Sequence, residues 1–201
     1  MPNFDALRSA IIGPLSYLCR AKVKPASLKI LIPAQGSLED LSPYKQTIAA
    51  SGVLYDSSLT NYKMAYNQMV NYTYDATQNF TIELFGYASG LANPAFSLGG
   101  MYLGWFSAGV GTHLMDNGGN QLITSNSTSG VKHLAFVKSG STLYMYKDGS
   151  RVGSTSSLPT GIFTMQNTNF RWYNLRIIQK ALTTGETFPV PSAPYTGYEE
   201  L

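Results

Sequence analysis

Three short strands joined by two tight turns are encoded between Gly130 and Ser154, and this stretch constrains the fold more than any other. Its sequence reads GVKHLAFVKSGSTLYMYKDGSRVGS. The dipeptide Asp148-Gly149 lies between runs rich in Tyr, Leu and Val. A two-residue hairpin turn needs positive φ angles, which Asp and Gly tolerate and most other residues do not. The stretch therefore predicts consecutive antiparallel strands.

The pattern is β-like from residue 38 onward, with turn signals about every 8 to 12 residues, as in sandwiches and jelly rolls. Phe80 to Tyr87 shows the period-2 alternation of a strand with one face in a core. At 201 residues the chain is long enough for one substantial core. Its single cysteine, Cys19, excludes an intramolecular disulfide. We predict an all-β, two-sheet antiparallel sandwich of the jelly-roll type with an N-terminal arm.

The two ends of the chain differ from its middle. Residues 1–37 begin with a segment that fits one or two helical turns and is broken by Pro14. Leu28 to Ile32 is a short β-like run. We predict that residues 1–37 form an arm that docks on a neighbour, and the alternative for Leu28 to Ile32 is an ordinary edge strand. Residues 191–201 are predicted to be an extended, proline-rich tail.

Four segments, taken in order, carry a resemblance to a known family. They are Leu38–Gly52, Asn79–Leu84, Val131–Gly153 and Phe170–Glu186. Together they resemble laminin-G-like domains, which are concanavalin-A-like jelly rolls of the lectin and glucanase type. The resemblance implies such a domain over residues 38–190. That fold hosts lectins, glycan hydrolases, adhesion modules and viral structural proteins, so it does not fix a function.

Charge is sparse: 12% of residues are charged and the formal net charge is +3. This excess is too small to indicate nucleic-acid binding. The one local cluster is basic and consists of Arg20, Lys22, Lys24 and Lys29. It fits docking on an acidic partner, or else a solvated strand face or arm. No run approaches the ~20 apolar residues of a membrane span, so no membrane partner is predicted.

The residues needed for common hydrolytic mechanisms are not found in recognisable patterns. Glycan hydrolases of this fold use paired carboxylates on one strand, whereas Glu83 is the only acid on its strand. The histidines, His113 and His133, lie outside any nucleophile motif, and they are too far apart in sequence to suggest a metal site. We predict that the protein is not an enzyme and has no cofactor.

A sugar site would need an exposed aromatic ring beside amide and carboxylate groups. Trp105 and Tyr102 lie on one predicted strand, and Asp116 and Asn120 lie in a loop that follows the next. We consider these four residues a candidate carbohydrate site, with the alternative that Trp105 is a core aromatic. The loop Asp116–Asn120 also offers oxygen ligands for calcium, although Asn-Gly is itself a turn dipeptide.

The resemblance and the low charge suggest a virion subunit of a bacteriophage, such as a capsid decoration, head fibre or tail protein. Its partners would be other virion proteins, copies of itself and a cell-surface glycan. It would be made in the host cytoplasm and located in the virion. Two alternatives stay open: a free carbohydrate-binding lectin and an atypical glycan hydrolase.

Overall fold

The computed structural model describes residues 27–32, 39–47, 49–50, 53–56, 61–64, 70–88, 91–106, 111–126, 130–165 and 169–191. The predictions for residues 1–26 and 192–201, which include most of the arm and of the tail, lie outside this described part. So do Arg20, Lys22 and Lys24 of the basic cluster.

All the regular secondary structure in the described residues is β. The strands, in chain order, are β1 Leu28–Ile32, β2 Ala49–Ala50, β3 Val53–Asp56, β4 Asn61–Met64, β5 Val70–Thr73, β6 Phe80–Ala88, β7 Ala92–Ser97, β8 Met101–Phe106, β9 Gly111–Asp116, β10 Gln121–Ser125, β11 Lys132–Ser139, β12 Thr142–Lys147, β13 Ser150–Thr155, β14 Ile162–Met165 and β15 Phe170–Ile178. No helix long and apolar enough to cross a bilayer occurs among these residues.

The strands form two antiparallel sheets. Sheet A has eight described strands in the order β13-β12-β11-β6-β15-β4-β3, with β1 also paired to β15. Sheet B has seven, in the order β10-β9-β8-β7-β14-β5-β2. Each sheet combines hairpin neighbours, such as β11-β12 and β8-β9, with neighbours distant in sequence, such as β6-β15 and β7-β14, as in a jelly roll. The prediction of an all-β, two-sheet jelly-roll sandwich is confirmed.

The core lies between the sheets and follows from side-chain alternation. In β6, Phe80, Ile82 and Leu84 are fully buried in the main apolar cluster, while the residues between them point to the outer face of sheet A. From sheet B, Phe96 enters the same cluster and packs edge-on against Phe136 of sheet A at 5.6 Å between ring centroids. One continuous core therefore joins the sheets.

The predicted hairpin forms as expected. Asp148 has φ 49° and Gly149 has φ 82°, the positive angles that a primed two-residue turn requires. The turn joins β12 to β13. Strands β11 and β12 pair over a register that runs from Leu134 opposite Lys147 to Ser139 opposite Thr142.

The edge-strand alternative describes β1 better than an arm does. It pairs antiparallel with the second half of β15, and Ile30 and Ile32 are buried in the main core. Within the β-like part of the sequence, residues 44–47 precede β2 without forming a strand. The Asp40 carboxylate accepts the N–H of Gln46 at 2.7 Å, so that N–H is not available for a sheet ladder.

The chain crosses the outer face of sheet A after β15, and we call residues 180–190 the strap. Phe188 of the strap packs in a buried cluster with Ala135, Val137 and Tyr146 of that face. The Tyr146 hydroxyl donates to the carbonyl of Gly185 at 2.9 Å. The strap therefore covers part of the outer face of sheet A.

Candidate functional site

A cleft of about 470 Å³ opens on the outer face of sheet B. It is lined by Asn93, Pro94, Ser97, Tyr102 and Asn117. The volume falls within the range of roughly 300–1,000 Å³ that is typical of small-ligand sites. The lining offers one aromatic ring, two primary amides and the hydroxyls of Ser97 and Tyr102, and all of these groups are uncharged.

The alternation of β8 places Tyr102 in this cleft. Met101, Leu103 and Trp105 are buried on the inner side of the strand, so Tyr102 projects outward and is partly exposed. In the sheet register, Tyr102 lies between Ser97 of β7 and Met115 of β9. The Ser97 hydroxyl donates to the carbonyl of Met101 at 3.0 Å, which fixes that side of the cleft.

The loop after β9 forms the rim of the cleft, and Asp116 organises it. One carboxylate oxygen accepts the N–H groups of Gly118 and Asn120, each at 2.9 Å. The other accepts the side-chain amide of Asn120 at 2.9 Å. These bonds, the Asn120 side chain first, lower the pKa of Asp116 below its ordinary value. The ionised carboxylate thus holds a tight turn that presents Asn117 to the cleft.

Of the four residues predicted for a sugar site, the structure brings Tyr102 to the loop but not Trp105. Trp105 is 1% exposed and packs against Phe170 at 5.6 Å between ring centroids. The expectation of an exposed ring was wrong for Trp105, because it shares the inner face of β8 with Leu103. Asp116 and Asn120 bond to each other and support the rim, whereas Asn117 lies in the lining.

Calcium binding by the Asp116–Asn120 loop stays a prediction. Both oxygens of Asp116 accept bonds from the loop's own N–H groups, which is the arrangement of the turn alternative. In the part of the chain that the structure describes, no cluster of three or more acidic, histidine or cysteine side chains is present.

Lys29 is the one member of the basic cluster within the described residues. Its ammonium group donates to the Tyr44 hydroxyl at 2.9 Å and lies 4.2 Å from the centre of the Tyr44 ring. This contact holds the side chain against its own domain. Partner docking by the cluster stays a prediction.

A buried ionic cluster on sheet A was not foreseen. Glu83, which is fully buried, accepts a bond from the Arg176 Nε at 2.5 Å and bonds also to its Nη2. The other Glu83 oxygen lies 3.2 Å from the His133 Nε2. His133 also contacts Phe188 of the strap, with 5.5 Å between ring centroids. The hydrolase alternative needed Glu83 at a substrate, and here its carboxylate is enclosed and bonded to two basic side chains.

Comparison with known proteins gives matches in structure only. No protein-family model matches the sequence. No match to a curated protein sequence is found either. Among solved structures, the sialidase of Trypanosoma rangeli in complex with the inhibitor DANA superposes with a TM-score of 0.57 and 13% identity over 83% of this chain. A mutant of that sialidase displaying trans-sialidase activity gives a TM-score of 0.59 and 12% identity over 84% of this chain.

The similarity to these sialidases is one of fold. The chain spans about a third of the sialidases' length, 33% in both comparisons. At this identity, the match supports the β-sandwich fold and assigns no activity.

Proposed function

We propose that this protein is a glycan-binding β-sandwich that holds sugar in the Tyr102 cleft without cleaving it. The observation that carries the proposal is the combination in one cleft of a partly exposed tyrosine ring with amide and hydroxyl groups. A flat ring offers an apolar surface to the C–H face of a pyranose. Amides, which donate and accept, match the hydroxyl groups at its edge.

The position of the carboxylates supports binding rather than hydrolysis. In most glycosidase families, hydrolysis uses an acid and a second carboxylate about 5–10 Å apart across the scissile bond, whereas sialidases use a tyrosine nucleophile. The five lining residues include no acid. Asp116 is bonded to its own loop, and Glu83 is buried on the other sheet. The fold shared with sialidases makes a glycan a reasonable ligand, and the cleft itself favours a binding role.

The proposal is tested by removing the Tyr102 ring. Wild type, Tyr102→Ala and a matched control, Tyr144→Ala, are compared on a printed glycan array and by calorimetry with the glycan that binds best. Tyr144 is a partly buried tyrosine on sheet A, near Arg151, so its loss removes the same side chain from the opposite side of the sandwich.

We expect Tyr102→Ala to lose at least about tenfold in affinity, a change typical of truncating an aromatic anchor, while Tyr144→Ala binds like wild type. Equal binding by both variants, with native-like urea midpoints, would overturn the proposal. New reducing ends released from the bound glycan would overturn its non-catalytic part.

A virion role and a free lectin are both compatible with glycan binding. The virion role, with partners on the particle, remains a proposal based on the resemblance and on the low charge. We distinguish the two by the mass of the purified protein in solution together with limited proteolysis of residues 1–26 and 192–201. A monomer cleaved quickly at both ends favours docking segments, and a closed oligomer with protected ends favours the free lectin.

A further inference from the structure

The two sheets differ sharply in charge. The seven described strands of sheet B contain no lysine or arginine, and their one acid is Asp116. The strands of sheet A contain eight basic residues, which are Lys29, Lys63, Lys132, Lys138, Lys147, Arg151, Arg171 and Arg176. The net positive charge of the protein therefore does not extend to the strands that carry the cleft.

The connections between the strands of sheet B continue this pattern. From Lys63 to Lys132 the sequence contains no other lysine or arginine, and residues 152–170 contain no charged residue at all. Both stretches supply strands and turns of sheet B. A basic side chain that could reach the cleft from a neighbouring turn of these stretches is thus excluded by the sequence itself.

Among the described residues, a negative charge lies at the rim of the cleft. Asp116 is adjacent to Asn117, and like any ordinary aspartate it is ionised at neutral pH. The other acids between Lys63 and Lys132 have their own partners. Asp75 accepts a bond from the Thr77 N–H at 3.0 Å and one from the Gln78 side chain at 2.7 Å. Glu83 belongs to the buried cluster of sheet A.

From this distribution we propose that the cleft is specific for neutral glycans and rejects sugars that carry carboxylate or sulfate groups. This inference rests on the proposed function and adds the class of ligand. An anionic sugar would lose hydration of its charge on entering the cleft, and the five described lining residues offer it no cation. It would also approach Asp116, and like charges at short range oppose binding. A neutral sugar meets neither cost, and amides and hydroxyls satisfy its own hydroxyl groups.

A glycan array with matched pairs tests this directly. Lactose is compared with 3′-sialyllactose, and methyl-esterified oligogalacturonate with the free acid, within a panel that also carries neutral mannose, glucose and galactose oligosaccharides. We expect neutral members to bind at least about tenfold more tightly than their acidic partners, through a site lost in Tyr102→Ala. Raising the salt concentration should leave the neutral affinity unchanged.

A charge-introducing variant provides the converse test. Asn117 is exposed on the rim, so Asn117→Lys adds a cation at the cleft, and Asn117→Gln is the matched neutral control. We expect Asn117→Lys to gain about 2- to 5-fold in affinity for the acidic partner, as for an exposed ion pair, with a gain that salt abolishes. Asn117→Gln should show no such gain.

The outcomes separate the two proposals. Preferential binding of acidic glycans that depends on Tyr102 would overturn neutral specificity and leave the glycan-binding function intact. Glycan binding unaffected by Tyr102→Ala, or the absence of binding to any member of the panel, would overturn the proposed function itself.

Discussion

Replacing Glu83 by glutamine tests whether the buried ionic cluster stabilises the sandwich. Glutamine keeps the size of the side chain, removes its charge and replaces one acceptor oxygen with an amide donor. Arg176, whose side chain is 9% exposed, would then lose the buried carboxylate that it contacts here. Loss of one member of a buried pair costs about 3–5 kcal/mol. With an m-value of about 2–3 kcal/mol per molar urea for a chain of this size, the urea midpoint should fall by about 1–2 M.

Two further variants make the measurement specific. Glu186 pairs with Arg151 on the surface and is 76% exposed, so Glu186→Gln is the same substitution in an exposed pair and should change the midpoint much less. In Glu83→Gln/Arg176→Met the arginine charge is removed together with the carboxylate, and we expect more than half of the lost stability to return. A midpoint for Glu83→Gln equal to that of Glu186→Gln would refute the reasoning.

Other predictions follow from the cleft and from buried aromatic residues. Trp105→Ala should destabilise the protein by about 3–5 kcal/mol in urea, whereas Trp105→Phe should leave glycan affinity unchanged because the ring lies on the inner face of β8. Asp116→Ala should weaken glycan binding measured by calorimetry. In wild type the same loss of affinity should appear as the pH falls through the pKa of Asp116, which is lower in the folded protein than in the unfolded chain. The ionised carboxylate stabilises the loop above that pH, and protonation removes its contribution. Burial raises the pKa of Tyr72 from 10.0 to about 12, so its contribution to stability is complete below pH 10 and lost as the pH rises towards 12. Tyrosinate absorbance should show this late ionisation, and it should disappear in Tyr72→Phe.

The fold could be predicted from the sequence because its signals are local. The Asp148-Gly149 turn and the alternation of β6 each act over fewer than ten residues, and both form as predicted. The phase of β8 was also readable: Leu103 and Trp105 share one parity, and Tyr102 has the other. The same alternation indicates that Trp105 lies in the core with Leu103.

The site could not be assembled from local signals alone because it also depends on strand register and sheet order. The pair Gly99-Gly100 is a local turn signal between β7 and β8. The positions of Asn93 and Ser97 beside Tyr102 depend in addition on the register of these strands, which is irregular between Ala92 and Phe96. Glu83 and Arg176 are 93 residues apart and meet only because β6 and β15 are neighbours. The sequence carries the period of each strand, and the partner of each strand is a tertiary property.

The shared edge of β15 has a practical consequence for truncation. β4 pairs with its first half and β1 with its second, so these two short segments together close one side of a nine-residue strand. A chain shortened to begin at residue 38 would lack β1. The backbone of Leu175 to Ile178 would then stay paired with β6 on one side and be unpaired on the other, next to apolar side chains. Such an exposed edge promotes intermolecular strand pairing. We expect the shortened protein to aggregate at concentrations at which a chain beginning at residue 27 stays dispersed, as light scattering would show.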